Sequence, residues 1–252
     1  MSPVKFIQNS FFEVFVLDTP DFGQISLGYF NAFKAIPNLP LSQQSEVKNW
    51  LSDLFRTSAV VGGDLNSTPH RINRLLSELG LTARLSDFPT YLPSIPDPQS
   101  EITLPSFDDF LILDKNIQFL ARPLVKLPLH ISHNPRDLVN QLNLSSDHVP
   151  VTCRLTKGES SLNLGIFNVA DPVFWKPFYP ATADGFDLTT EPRRLERLKS
   201  IISDLLTQCD VLCLLEVPAP LVPWLATKDA RLEKMFSTTT QSDSISRLAL
   251  IC

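Results

Sequence analysis

Histidine and cysteine are scarce in this 252-residue chain, with four of each. No two of the cysteines (Cys153, Cys209, Cys213 and Cys252) form a Cys-x-x-Cys pair, so a thiolate zinc site is not expected. They sit mostly in apolar runs and read as free, buried thiols of a reducing compartment. No apolar run approaches the length that spans a bilayer. The opening stretch is interrupted by Asn9, Ser10 and Glu13, which makes a poor signal peptide. A soluble protein of the cytoplasm or nucleus, not a secreted one, is therefore expected. Positive charge is also in deficit: the net charge of −5 excludes a basic surface over the whole molecule, although a local basic groove stays open. What is present is apolar. Hydrophobic residues make up 43% and charged residues 19%, a balance that supports a folded core and argues against disorder.

Periodicity divides the chain into strands and helices. Phe11–Asp18 and Gln24–Phe33 alternate as paired strands across a Pro-Asp-Phe-Gly turn. Val47, Trp50, Leu51, Leu54 and Phe55 recur at helical spacing, with Ser42 or Ser45 as the cap. A short buried strand, AVVGGD, ends at Asp64, and Ile72, Leu75, Leu76 and Leu79 line a second helix closed by Gly80. Asp87–Pro105 and Leu127–Leu144 read as loops. FDDFLIL, IQFLARPL and HVPVTCRL read as strands, and the segment 156–163 as a linker. Beyond it lie strand LNLGIFNV, a Pro-rich loop, helix RRLERLKSIISDLL, strand DVLCLLEV, a helix around Leu221–Phe236, and strand RLALIC. Such interleaving defines an α/β or α+β fold of packed layers.

Five segments carry chemistry. In GGDLNSTP, Asp64 and Asn66 stand two apart at a strand end, so both side chains face one way and could hold a water from two sides. An Asx turn capping the next helix accounts for the same residues. In SSDHVPV, Asp147 and His148 adjoin; an imidazole there could donate to a phosphoryl oxygen, or simply sit in an exposed loop. Asn168 is an amide in an apolar strand, and Glu216 ends another. A lone carboxylate at a strand end suits a hard cation such as Mg²⁺, although hydrogen bonding to a turn would also explain it. In FDDFLIL, Asp109 needs a partner if buried, and His148 is available; Asp109 would then orient the ring and keep it cationic, unless it faces solvent on an edge strand.

Taken together, IFNVADP, PRRLERLKSII, CLLEV, FNAF, GGDLNSTP, DDFLIL and SSDHVPV resemble the motif set of the endonuclease/exonuclease/phosphatase superfamily. NVADP, DVLCLLEV, GDLNSTP and the Pro-Thr-Tyr at 89–91 are most similar to its deadenylase, nocturnin, Angel and 2′-phosphodiesterase branch. The motif order is rotated, because IFNV and LLEV follow SDH. The resemblance therefore implies one circularly permuted domain over 1–252, with 1–155 as the normally C-terminal half and 164–252 as the normally N-terminal half. Two tandem copies, each truncated, would give the same order. The implied fold is a four-layer sandwich of two packed mixed β-sheets flanked by helices.

The resemblance also implies roles. Glu216, Asn168 and Asp147 would hold Mg²⁺ or Mn²⁺. Asp64 and Asn66 would place the attacking water. His148, oriented by Asp109, would stabilise the phosphate, with Asp147 beside it. The substrate would be RNA or another oligonucleotide attacked from its 3′ end, with Tyr91, Phe174, Trp175 and Tyr179 as loop aromatics that could stack bases or anchor loops. Three positions depart from the family pattern: Phe33 stands where it has His, Leu215 where it has Gln, and Asp108 where it has an apolar residue. A degenerate member that binds nucleic acid or protein, or an enzyme acting on lipid or DNA phosphodiesters, remains the alternative. Asn66 and Asn143 match the glycosylation acceptor pattern, and a glycan on Asn66 would block the site, which again favours an unglycosylated setting.

Overall fold

The alternation of side chains along the strands dictates how the layers stack. A computed structural model describes residues 4–9, 11–86, 88–91, 102–103, 108–127, 130–131, 146, 148–169, 192–228, 239–240, 245–246 and 248–251. In chain order the first elements are β1 (Lys5–Gln8), β2 (Phe12–Thr19), β3 (Gly23–Phe30), α1 (Ala32–Ala35), α2 (Leu41–Thr57), β4 (Val60–Asp64), α3 (Pro69–Glu78) and β5 (Arg84–Leu85). There follow β6 (Ile102–Thr103), β7 (Asp108–Ile112), β8 (Gln118–Pro123), β9 (His130–Ile131), β10 (Val151–Lys157) and β11 (Ser160–Asn168). The last are α4 (Pro192–Gln208), β12 (Val211–Leu215), α5 (Val222–Ala226), β13 (Thr239–Thr240), β14 (Ile245–Ser246) and β15 (Ala249–Ile251).

One sheet has six strands in the order β1-β2-β3-β4-β7-β5, the other five in the order β15-β12-β11-β10-β8. Both are mixed: β3 runs parallel to β4 and β11 parallel to β12, and their other pairs are antiparallel. Phe15, Leu27, Val60 and Phe110 of the first sheet pack against Val151, Leu164, Ile166 and Cys213 of the second. The opposite face of the first sheet packs on α2 and α3 through Val14, Val61 and Leu111 against Leu51, Phe55, Ile72 and Leu76. Leu212 and Leu214 meet Leu198, Ile202 and Leu205 of α4 on the outer face of the second. The result is an α/β sandwich of helix, sheet, sheet and helix layers. Among the described residues no helix is long and apolar enough to cross a membrane.

Several elements differ from the sequence reading. The strand expected to run to Phe33 stops at Phe30, and α1 carries Phe33 into the core against Phe30 and Phe55. Neither Ser42 nor Ser45 caps α2, which starts after Pro40. The segment 156–163 is no flexible linker. It is the heart of a hairpin in which Lys157 pairs with Ser160 around Gly158, whose φ of +61° suits a residue without Cβ. Its Ser, Lys and Glu content reflects solvent-facing strand ends. The helix expected over 221–236 is confined to α5 as far as the described residues go, since 229–238 lie outside them.

Candidate active site

The parallel strands of both sheets deliver their C-terminal ends to one place, as open α/β sheets do with ligand sites. Asn168 shares its parity with Leu164 and Ile166, so its side chain points between the sheets and is fully buried. Asp64 shares parity with Val60 and points the same way from the first sheet. The Asn168 carboxamide joins them: Nδ2 donates to Asp64 Oδ2 at 3.0 Å and to Glu216 Oε1 at 3.2 Å. Residues 104 and 48 positions apart along the chain thereby converge on one amide.

Local backbone is bent to make this possible. Asn66 has φ +47° and Glu216 φ +52°, both in the left-handed region that side chains avoid. Each costs about 1–3 kcal/mol and persists only where surrounding packing enforces it. Asp64 Oδ1 accepts from the Asn66 backbone N–H at 2.8 Å, so an Asx turn is present, but it does not cap the next helix as the alternative reading expected: α3 starts after Thr68 with no side-chain cap. Behind Asp64, β3 and β4 approach so closely that a Cβ on Gly63 would lie 1.7 Å from the Gly28 carbonyl oxygen.

His148 precedes β10 and is held from three sides. Its Nδ1 lies 2.5 Å from Asp108 Oδ2, its backbone N–H donates to Ser146 Oγ at 3.1 Å, and its ring lies against Tyr91 with centroids 4.8 Å apart. Ser146 Oγ in turn donates to the Asn168 carbonyl at 2.7 Å, tying the His segment to the second sheet. The expected orienting partner, Asp109, is elsewhere. Strand period explains the correction: Asp108 shares parity with Phe110 and Ile112, which face the inter-sheet core, while Asp109 shares parity with Leu111, which faces the helices. The Asp109 carboxylate accepts from the Ser86 backbone N–H at 3.1 Å, from the Ser86 hydroxyl, and from the Phe110 N–H at 2.6 Å. In any reaction the centre performs, Asp108→Asn should therefore lower the rate about 10²-fold with little loss of fold. Asp109→Asn should lower stability by about 1–3 kcal/mol and spare the rate. Parallel urea melts and rate assays of the two variants check the assignment.

Charge is crowded here. Asp64 is pushed up to about 6, first by burial and then by Asp108, with His148 opposing. The Tyr29 phenol, beside Asp64 in the register, is raised further from its ordinary value by burial and by the Asp64 and Glu216 carboxylates. Asp64, Asp108 and His148 each offer one ligand atom, all within 4.8 Å of one another. Asp64 is raised by burial and by the neighbouring Asp108 carboxylate, a cost that a hard divalent cation would relieve, and the oxygen-rich donor set fits Mg²⁺ or Mn²⁺.

Of the expected site residues, Asp64, Asn66, Asn168, Glu216 and His148 come together, Asp109 does not, and Asp147 lies outside the described residues. Phe174, Trp175 and Tyr179 lie outside them too, and Tyr91 braces His148. Sequence reading missed Asp108, Tyr29 and Ser146 as site residues. It also missed Arg194, buried with Nη2 donating to the Val169 carbonyl at 2.8 Å, which locks α4 to the end of β11. Parity with Phe110 was the one signal for Asp108, but the run FDDFLIL is apolar on both faces and does not say which face meets which layer.

Fold and site together define an α/β sandwich whose two sheets share an acidic, amide-bridged and imidazole-flanked centre. No family model matches the sequence, and no curated protein sequence does. Among solved structures the fold is similar to that of humanized D. rerio TDP2 carrying 14 mutations, at 10% identity and a TM-score of 0.45, covering 85% of this chain and 80% of that one. At that similarity the two chains share an outline, and no residue role passes between them.

Proposed function

We propose that this chain is a Mg²⁺-dependent phosphodiesterase of the endonuclease/exonuclease/phosphatase type, cleaving RNA or another oligonucleotide from its 3′ end. The observation that supports it most is the Asn168 amide bridging Asp64 and Glu216, because it gathers a carboxylate from each sheet into one centre. In this reading Glu216 and Asn168 would hold the cation, with Asp64, Asp108 and Asp147 as further candidates to do so. Mg²⁺ bound there would neutralise charge developing on the phosphoryl oxygens. Asp64, poised near neutrality, takes the proton of the attacking water, and Asn66 helps to place that water. Asp108 engages Nδ1 of His148, so Nε2 donates to a phosphoryl oxygen. The rotated motif order is read as circular permutation, the hairpin β10–β11 joining the two halves.

The test is cleavage of 3′–5′ and 2′–5′ oligoadenylate with and without Mg²⁺. Metal-dependent cleavage that Asp64→Ala abolishes is the expected result; equal rates for both proteins would sink the enzymatic reading. One observation favours a second reading, a binding protein without turnover: Phe33 is a buried core ring, so no imidazole donates to phosphate from that position. Calorimetric Mg²⁺ titration separates the two, since a scaffold has no need of the cation.

A further inference from the structure

The second sheet ends in a strand with one side unused. β8 stands at its edge and pairs only with β10. Register tells which backbone groups that pairing uses. The Leu124 N–H donates to the Pro150 carbonyl at 2.8 Å, one step beyond the pair Pro123–Val151. In an antiparallel ladder the residues that bond the partner alternate, so Gln118, Leu120 and Arg122 turn their backbone groups to β10. Phe119 and Ala121 turn theirs the other way. The Ile117 carbonyl has the same parity and accepts from Arg84 Nη2, as a group on the open side can. Among the described residues nothing takes up the N–H and C=O groups of Phe119 and Ala121. Such a row is a template for another extended chain.

The side chains along this edge select the occupant. Leu120 is 52% exposed on the outer face, and Phe119 is half-buried on the inner face at the rim of the core. Arg122 lies on β8, Lys115 and Lys126 lie just beyond its two ends, and the Arg84 guanidinium lies 5.5 Å from the Phe119 ring centroid. All four cations are exposed, and among the described residues none forms an ion pair. Asp114, the carboxylate of the turn before β8, is already engaged by Lys157 at 3.0 Å. On a chain of net charge −5 this edge is therefore locally positive. A second copy would bring the same cations against it. Nucleic-acid phosphates would meet the cations, but they only accept hydrogen bonds and leave the Phe119 and Ala121 carbonyls unserved. An acidic polypeptide in extended form answers both the charge and the alternating donors and acceptors.

We infer that the open edge of β8 docks an acidic, extended peptide segment of a partner protein as a further strand of the second sheet. Its outer side chains would fall beside Leu120 and Arg122 and its inner ones beside Phe119 and Arg84, so each face takes apolar and acidic residues in turn. The inference does not depend on the hydrolytic reading. The probe is a fluorescein-labelled octapeptide, Glu-Glu-Val-Val-Glu-Glu-Val-Val, titrated into the full chain. Anisotropy should show saturable binding, and the backbone amide resonances of Phe119 and Ala121 should shift and exchange more slowly with solvent. Arg122→Glu, a change at an exposed side chain, should weaken binding about tenfold. N-methylating every second peptide amide keeps every charge, and it should abolish binding in one frame and spare it in the other. Unmoved Phe119 and Ala121 resonances overturn the inference, as do equal affinities of the two methylated peptides or an unweakened complex with Arg122→Glu. So does an oligothymidylate of equal charge that moves the same resonances as tightly, which would mark a nucleic-acid surface. A concentration-dependent dimer in sedimentation that Arg122→Glu alters would overturn it too, by giving the edge to a second copy.

Discussion

Asp64→Asn is expected to lower Mg²⁺-dependent cleavage by about 10³-fold, within the span ascribed to a positioned general base, while leaving a folded protein. It should also erase a pH dependence of stability. An ordinary aspartate titrates at 3.8, whereas Asp64 is pushed up to about 6 by burial and by Asp108. Between those values the native protein holds a proton that the unfolded chain has released. Stability of the metal-free protein therefore falls as pH rises from about 4 to about 6 and levels off above, by an amount on the order of 3 kcal/mol from this one group. Urea melts in chelator at pH 4.5 and pH 7.5 measure the slope. The variant should flatten it, and a wild-type protein that instead gains stability across that window would show that Asp64 is not held in the environment described. Added Mg²⁺ should recover stability at neutral pH in the wild type by binding the native state alone.

Gly63→Ala is expected to prevent folding altogether. Its Cβ would stand 1.7 Å from the Gly28 carbonyl oxygen, and the backbone there has φ +146°. The obstacle is main chain, so no rotamer change relieves it; β3 and β4 must part. Gly28→Ala fares no better, since a Cβ on Gly28 would lie 2.0 Å from the Glu13 carbonyl oxygen of β2. A cost of about 4 kcal/mol or more would consume most of the stability of an ordinary domain. Soluble yield and a urea midpoint read the outcome. A variant that melts within about 1 kcal/mol of wild type would mean that β3 and β4 are not packed this closely. The Gly-Gly-Asp run is thus a device for bringing the Tyr29 and Asp64 strands together, ahead of anything Asp64 does chemically.

Much of this was legible in the residues. The alternation of Phe11–Asp18 and the helical spacing of Leu51, Leu54 and Phe55 report burial directly, because each face of those elements meets only one environment. That Asp64, Asn66, Asn168, Glu216 and His148 belong to one centre came from the resemblance of their motifs to the superfamily, since a strand end alone does not say which other strand end it meets. The missed site residues share a cause. Asp108 and Asp109 differ by one residue, which is half the strand period, so choosing between them requires knowing which sheet face meets the second sheet. That is a long-range fact. Tyr29 was hidden for the same reason: it lies opposite Asp64 in a parallel pair, and register between distant strands is not written in either strand alone. The segment 156–163 misled through composition, since Ser, Lys, Glu and Gly serve a tight exposed turn as well as a loose tether.

That turn has a practical corollary. Gly158 and Glu159 are exposed at the tip of the hairpin, and the polypeptide on either side supplies different members of the centre. Asp64, Asn66, Asp108 and His148 come before it, and Asn168 and Glu216 after. Nicking the backbone at the tip would yield two fragments, neither owning a complete set, that meet again along the β10–β11 edge. Activity would then report whether the fragments had found each other, which makes the tip the natural place to cut for a complementation sensor.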